Sequence, residues 1–179
     1  MSTKKLVQFF AAVLTVAVSA ASAQAQKPAP IRDGFWVSGG LGYGSLGCDN
    51  CGSREGSVSG DISLGGTISP RLLLGVGSAA WTKTQQGVTM TVGTLDARVR
   101  FYPSATGGFF LTGGLGFGTA RLSGFGTYTE NGVGTILGLG WDIRVARNTS
   151  ITPYWNGFAM KNNNTDANVG QMGLAVTLH

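Results

Sequence analysis

From residue 34 onward the chain alternates between bulky apolar side chains and small or polar ones, and no stretch carries a 3.6-residue apolar period. A period of two sends successive side chains to opposite faces of a β-strand. In residues 35–44, Phe35, Val37, Gly39, Leu41 and Tyr43 share one face; Trp36, Ser38, Gly40, Gly42 and Gly44 share the other. Residues 57–68 set Val58, Ile62, Leu64 and Ile68 against Ser57, Ser59, Asp61 and Ser63. The pattern recurs over 89–102, 109–121, 132–145 and 169–178, less cleanly over 72–83, and ambiguously over 150–160, where Pro153 marks a weak point. The expected fold is therefore all-β: eight short strands in an antiparallel, up-and-down, closed barrel.

The composition of the small face decides which solvent lies outside. It is rich in Gly, Ser and Thr, with 30 glycines in 179 residues and no G-X-Y period. A soluble barrel that turned so many glycines toward water would gain little solubility. A narrow membrane barrel has room inside for glycines beside a few paired charges, while bulky apolar residues meet lipid. Strands of about ten residues have the length to cross a bilayer at a tilt. Phe35/Trp36, Phe101/Tyr102, Phe109/Phe110, Trp141 and Tyr154/Trp155 lie near one set of strand ends, and Tyr43, Trp81, Phe117 and Phe158 near the other. Two aromatic belts are expected from that spacing. The connections also alternate: 69–71, 103–107 and 146–148 are tight, whereas 45–56, 84–88, 122–131 and 161–168 are longer or more polar. Short periplasmic turns and longer outer loops follow.

The N-terminal segment reads as an export signal. Lys4 and Lys5 precede an apolar run from Leu6 to Val18, and small residues end in Ala21-Ser22-Ala23 and Ala23-Gln24-Ala25. Residues 1–25 are the expected cleaved signal peptide, with Ala23 as the alternative cut. Residues 26–33, containing Pro28 and Pro30, form an extended leader, and 34–179 form the barrel. The formal net charge is +5, but the basic residues stand singly, without a run or stripe, which argues against nucleic acid as a partner.

An internal repeat fits the strand count. Gly34-Phe-Trp-Val-Ser-Gly-Gly-Leu-Gly-Tyr-Gly44 matches Gly108-Phe-Phe-Leu-Thr-Gly-Gly-Leu-Gly-Phe-Gly118, and Val92 to Phe101 echoes Val169 to Leu178. Duplication of a four-stranded half would produce both matches; convergence of glycine-rich alternating sequence is the alternative.

Few motifs suggest chemistry. Cys48-Asp-Asn-Cys51 lies in the first outer loop. No helix follows to depress a thiol pKa, and no second pair completes a zinc site, so in an oxidising compartment a local disulfide is expected over free thiols. Gly42 to Gly47 matches G-x-G-x-x-G without the helix that fingerprint needs. The single histidine, His179, ends the last strand, so no conventional general base is present for nucleophilic chemistry. Asp61, Asp96, Arg98, Arg100, Asp142 and Arg144 fall on the small face. They are expected to form a paired network filling the lumen, with a gate or narrow ion path as the functional alternative.

In these strands and turns the chain resembles small outer-membrane β-barrel proteins of the OmpA transmembrane-domain and OmpX type, over residues 34–179. The final strand, Gln171-Met-Gly173-Leu-Ala-Val176-Thr-Leu178, fits that family's polar-x-Gly-x-x-apolar-x-apolar assembly signal, although members usually end on Phe or Trp where this chain has His179. The resemblance implies hand-over to the barrel-assembly machinery through Gln171, Gly173, Val176 and Leu178. The peptidoglycan-binding domain of full OmpA proteins is not expected here. The resulting expectation is a non-enzymatic, cofactor-free, monomeric barrel in the outer membrane of a Gram-negative-type bacterium, reached by Sec export. It would contact outer-membrane lipid and lipopolysaccharide and serve an envelope-structural or surface-interaction role. A narrow pore, a soluble ligand-binding barrel and an enzyme acting on lipid A are the rivals.

Overall fold

The computed structural model describes residues 32–48, 52–124, 126–163 and 166–179. The expected signal peptide, nearly all of the leader, and Cys51 lie outside these residues. The strands are β1 (Phe35–Cys48), β2 (Glu55–Ser69), β3 (Leu72–Gln85), β4 (Val88–Phe101), β5 (Phe109–Ser123), β6 (Thr127–Trp141), β7 (Ile143–Ala146), β8 (Thr149–Lys161) and β9 (Asp166–Leu178). Each is antiparallel to its neighbours, and β1 pairs with β9 as well as β2. β6 and β7 are two halves of the sixth barrel strand, interrupted at Asp142, and both pair with β8. The sheet therefore closes as an eight-stranded barrel with no free edge.

The pairings fix the barrel's tilt. From Phe117, one route runs through Leu95, Ser78, Ile62 and Gly39 to Val176. The other runs through Val133 and Lys161 to Asp166. Both end on β9, ten residues apart. Eight strands with that stagger tilt by about 40°. On β1 the outward apolar stretch from Phe35 to Tyr43 then has a height of about 20–25 Å, that of a lipid-facing band.

The bulky face points outward all the way round. Leu41, Phe117 and Leu137 are 74%, 75% and 70% exposed, and Ile62, Leu74, Leu95, Trp155, Met172 and Leu174 stand beside them. An apolar exterior that encircles the molecule is incompatible with water as its surroundings. Only half of the aromatic residues expected in the belts belong to them. Phe35, Phe101, Trp141 and Trp155 face out, but Trp36, Tyr102, Phe110, Tyr154, Trp81 and Phe158 are buried inside. Adjacent residues in a strand cannot share a face, so each aromatic pair contributes one ring to each side.

The strands also reach further outward than the alternation does. β3 and β4 continue to Gln85 and Val88, and β5 and β6 to Ser123 and Thr127. Beyond the lipid band neither face needs to be apolar, so the period of two fades while backbone pairing persists. Side-chain pairs such as Thr82–Thr91 (3.2 Å), Thr84–Thr89 (2.9 Å) and Thr119–Asn131 (3.0 Å) tie these extensions together. At the β3–β4 tip, Gln86 and Gly87 both have positive φ (51° and 79°), as a two-residue I′ turn requires.

The repeated segments lie opposite one another in the barrel, β1 facing β5 and β4 facing β9 across four strands. Trp36 and Phe110, equivalent in the repeat, meet in one buried cluster; Val92 and Val169 meet in another.

Candidate functional site

The inward face fills the barrel in three tiers. At the periplasmic end Trp36, Leu73, Tyr102 and Phe110 form an apolar plug. Toward the outer end Leu46, Ala79, Trp81, Val92, Ile136, Phe158, Ala167 and Val169 form a second one. Polar and charged groups lie between and beneath them.

In the middle tier Arg98 holds two carboxylates at once. Its Nε and Nη2 each donate to Asp96 at 2.8 Å, and Nη1 donates to Asp61 at 2.6 Å. All three residues are buried. Nearby glycines make this possible. A Cβ on Gly77 would lie 2.6 Å from Arg98 Nη2, and one on Gly114 would collide with Asp96 Oδ1. The same relation recurs between Gly173 and Tyr154, Gly44 and Trp81, and Gly140 and Phe110. The glycine face is thus the cast of the large inward side chains.

Arg100 lies one step closer to the periplasm. Nη2 donates to Ser63 Oγ at 2.9 Å, and the guanidinium sits 4.5 Å from the Trp36 ring and 4.9 Å from the Phe110 ring. Aromatic faces on both sides offset part of the cost of burying the charge. Asp142 accepts from Tyr102 Oη at 2.8 Å and from Thr152 Oγ1 at 2.7 Å. Thr152, Thr177 and Ser38 continue a chain of hydroxyls, each step 2.9 Å. His179 Nε2 approaches Asp142 Oδ2 at 3.5 Å, so the final residue folds inward beneath the barrel while Leu178 faces out.

Arg32 closes the periplasmic mouth. It is buried, donates to the carbonyls of Pro70, Ala105 and Gly107, and lies 3.5 Å above the Tyr102 ring. Burial pulls the Arg32 pKa down; burial, followed by the charge of Asp142, pushes the Tyr102 phenol up. With Arg32 counted, the buried charges balance: Asp61, Asp96 and Asp142 against Arg32, Arg98 and Arg100.

Of the six charges expected in the lumen, the structure brings Asp61, Asp96 and Arg98 into one cluster, with Arg100 and Asp142 below it. Arg144 lies apart: it donates to the carbonyls of Ala146 and Arg147, across the β7–β8 turn. The register irregularity between Arg144 and Ala146 brings those carbonyls within reach. Cys48 is disulfide-bonded at the end of β1. In the last strand Gln171 is buried inward, Gly173 faces Tyr154, and Val176 and Leu178 point toward lipid. Arg32 escapes the sequence reading because it lies ahead of the first alternating segment, and Tyr102 reads there as a belt residue, whereas it is buried in the plug.

The model of the family described as outer membrane protein beta-barrel domain matches residues 10–179. No curated protein sequence matches the chain. Among solved structures the chain is similar to Neisserial surface protein A (TM-score 0.61, 14% identity, covering 80% of this chain and 96% of that one). It is also similar to Ail, the attachment invasion locus protein of Yersinia pestis (TM-score 0.57, 13% identity, 82% and 99% covered). The N-terminal β-barrel domain of Pseudomonas aeruginosa OprF matches at TM-score 0.51 and 12% identity, with 82% and 98% covered. At such identities these likenesses concern the fold. Together with an apolar exterior wrapped around a charged, plugged interior, the family match places this protein in the Gram-negative outer membrane, and the chain belongs to the outer membrane protein beta-barrel domain family.

Proposed function

We propose that this barrel is a non-conducting, non-enzymatic component of the outer membrane, serving the envelope as structure and meeting its surroundings at the outer hairpin tips. The observation that carries this reading is the filled lumen. Two apolar tiers flank the Arg98 tier, and among the described residues a void lined by Asp61, Arg98, Arg100, Tyr154 and Asn156 measures about 10 Å³. That is room for about one water molecule, not for a solute path. The buried charges are balanced in number, and at their centre Arg98 is paired with both Asp61 and Asp96. A conducting pore would instead need a continuous wetted passage.

On this reading the chain is exported through the Sec pathway, is handed to the barrel-assembly machinery by its last strand, and acts as a monomer. The sole histidine lies 3.5 Å from Asp142 beneath the barrel, away from any substrate at the outer surface. Planar-bilayer recording of the refolded protein tests the reading. No sustained ionic conductance above that of the bare bilayer is expected, and reproducible unitary steps would overturn it. Deleting the gene should leave lipid A acylation unchanged; an altered acylation pattern would point to an enzyme.

A further inference from the structure

The periplasmic mouth is framed by contacts that do not involve the side chain filling it. The Tyr102 ring is fixed from three sides. Its backbone N–H donates to the Arg71 carbonyl at 2.8 Å, its Oη donates to Asp142 at 2.8 Å, and the ring packs against Phe110 with centroids 5.3 Å apart. The two turns beside it carry their own ties. Ser104 Oγ accepts from the N–H groups of Thr106 and Gly107 at 3.3 and 3.2 Å, which holds the segment bearing the Ala105 and Gly107 carbonyls. Ser69 Oγ accepts from the Arg71 N–H at 3.3 Å, across Pro70. What results is an aromatic face, three carbonyl oxygens within reach of one cation lying on it, and a carboxylate at the far end of the phenol.

Arg32 meets those carbonyls through its terminal nitrogens. Nη1 donates to the Pro70 and Ala105 carbonyls at 3.3 and 3.1 Å, Nη2 donates to the Gly107 carbonyl, and the guanidinium lies 3.5 Å from the centre of the Tyr102 ring. Nε has no hydrogen-bond partner among the described residues. A free guanidinium would therefore keep all of those hydrogen bonds. An ammonium would not, because a point charge on a tetrahedral nitrogen cannot spread donors to three carbonyls while lying flat on a ring.

Among the described residues ahead of β1, Arg32 is the one that is buried; Asp33 and Gly34 are exposed. Gly34 has a φ of 70°, and its carbonyl accepts from the Thr67 N–H at 2.8 Å, so the chain turns sharply between Arg32 and β1. A Cβ at Gly34 would meet nothing within 4 Å, so backbone conformation rather than space reserves the position for glycine. The carbonyls that receive Arg32 come from the β2–β3 and β4–β5 turns, so the site exists once those strands have assembled.

We propose that the periplasmic mouth is a guanidinium-binding site which the chain occupies in cis with Arg32. The segment ahead of β1 is then a strap that closes on the assembled barrel and opens by withdrawing that one side chain.

The test uses the folded barrel in phosphatidylcholine nanodiscs, with a heat-dependent gel shift to show that each variant is folded. R32A vacates the site. Methylguanidinium should then bind saturably with a Kd of about 1–10 mM, and its methyl proton signal should move upfield in the ring current of Tyr102. Methylammonium, of equal charge, should bind about tenfold more weakly. The parent protein, whose Arg32 competes as a tethered ligand, and R32A/Y102L, which lacks the ring, should both lose the saturable shift. Trypsin reads the strap directly, because it cuts after Arg32 only when that side chain has left the mouth. Cleavage between Arg32 and Asp33 should be about tenfold faster in G34V, where a β-branched residue resists positive φ, and close to the parent rate in G34N, which tolerates it. Absence of saturable binding in R32A, binding to the parent as strong as to R32A, equal binding of methylammonium, or cleavage as fast in the parent as in G34V would each overturn the proposal. The trypsin arm needs neither R32A nor Y102L, so it decides the matter if removing Arg32 unfolds the barrel.

Discussion

The guanidinium of Arg98 occupies the space that a side chain at Gly77 would need, with Nη2 2.6 Å from where a Cβ would sit. Charge and glycine are therefore one feature: the inward face is small on one strand so that it can be large and ionic on the next.

That coupling sets an order of severity for mutations in the middle tier. R98L leaves Asp61 and Asp96 facing each other without a cation, and unfolding in urea from phosphatidylcholine vesicles should show a loss of about 3–5 kcal/mol. D61N should cost less, because Arg98 keeps both bonds to Asp96. G77V should fall near R98L, since it must displace the guanidinium from both partners. If D61N proves as damaging as R98L, the two-to-one arrangement around Arg98 is wrong.

The lipid face predicts the opposite kind of sensitivity. Leu174 is 61% exposed in the middle of the outward stretch of β9, so L174R sets a charge in hydrocarbon and should cost about 2–4 kcal/mol in the same assay. Thr91, at the outer rim, should tolerate arginine at a cost of about 0–1 kcal/mol. Equal costs at the two depths would remove lipid as the outer solvent.

These two mutations also show what could be read from the chain itself. Lipid and lumen impose opposite demands on alternate residues, so the faces of Ile62 and Asp61, or of Leu95 and Asp96, follow from sequence order alone. The demand ends where the bilayer ends, and the outermost strand residues, 84–85 and 88 in the β3–β4 hairpin and 122–123 and 127–131 in β5–β6, read as connections although they are strands. Arg144 carries the parity of a lumen charge, yet the irregular register beside it brings two carbonyls within reach, a backbone event with no residue signature. The plug is harder still. Arg32 gains its role from carbonyls at Pro70, Ala105 and Gly107, far away in sequence.

The outer apolar tier should fail by cavity formation. Trp81 is 1% exposed and donates from Nε1 to the Gly44 carbonyl at 3.1 Å, and Phe158 is 2% exposed in the same cluster. W81A and F158A should each cost about 3–5 kcal/mol. Because the ionic tier and the periplasmic plug remain beneath, neither single variant should conduct ions in a planar bilayer. Conductance in W81A would locate the whole barrier in the outer tier.

The periplasmic plug should announce itself in alkali. Tyr102 lies beneath Arg32 and donates to Asp142, and burial together with that carboxylate holds its phenol well above the usual value. In the unfolded chain the same phenol ionises near pH 10, so the folded state binds the proton more tightly from that pH upward. The stabilisation Tyr102 supplies is fully present below pH 10 and is lost as pH rises beyond it. At pH 11 the tyrosinate absorbance of the folded protein should be the same in the parent and in Y102F, because Tyr102 is still protonated. In denaturant at that pH, Y102F should fall short by one tyrosine. R32A removes the cation over the ring but also opens the mouth to water. It should bring Tyr102 into the folded-state titration and expose the segment before β1 to protease. A phenol that titrates normally in the folded parent protein would mean that the mouth is open and the plug does not form.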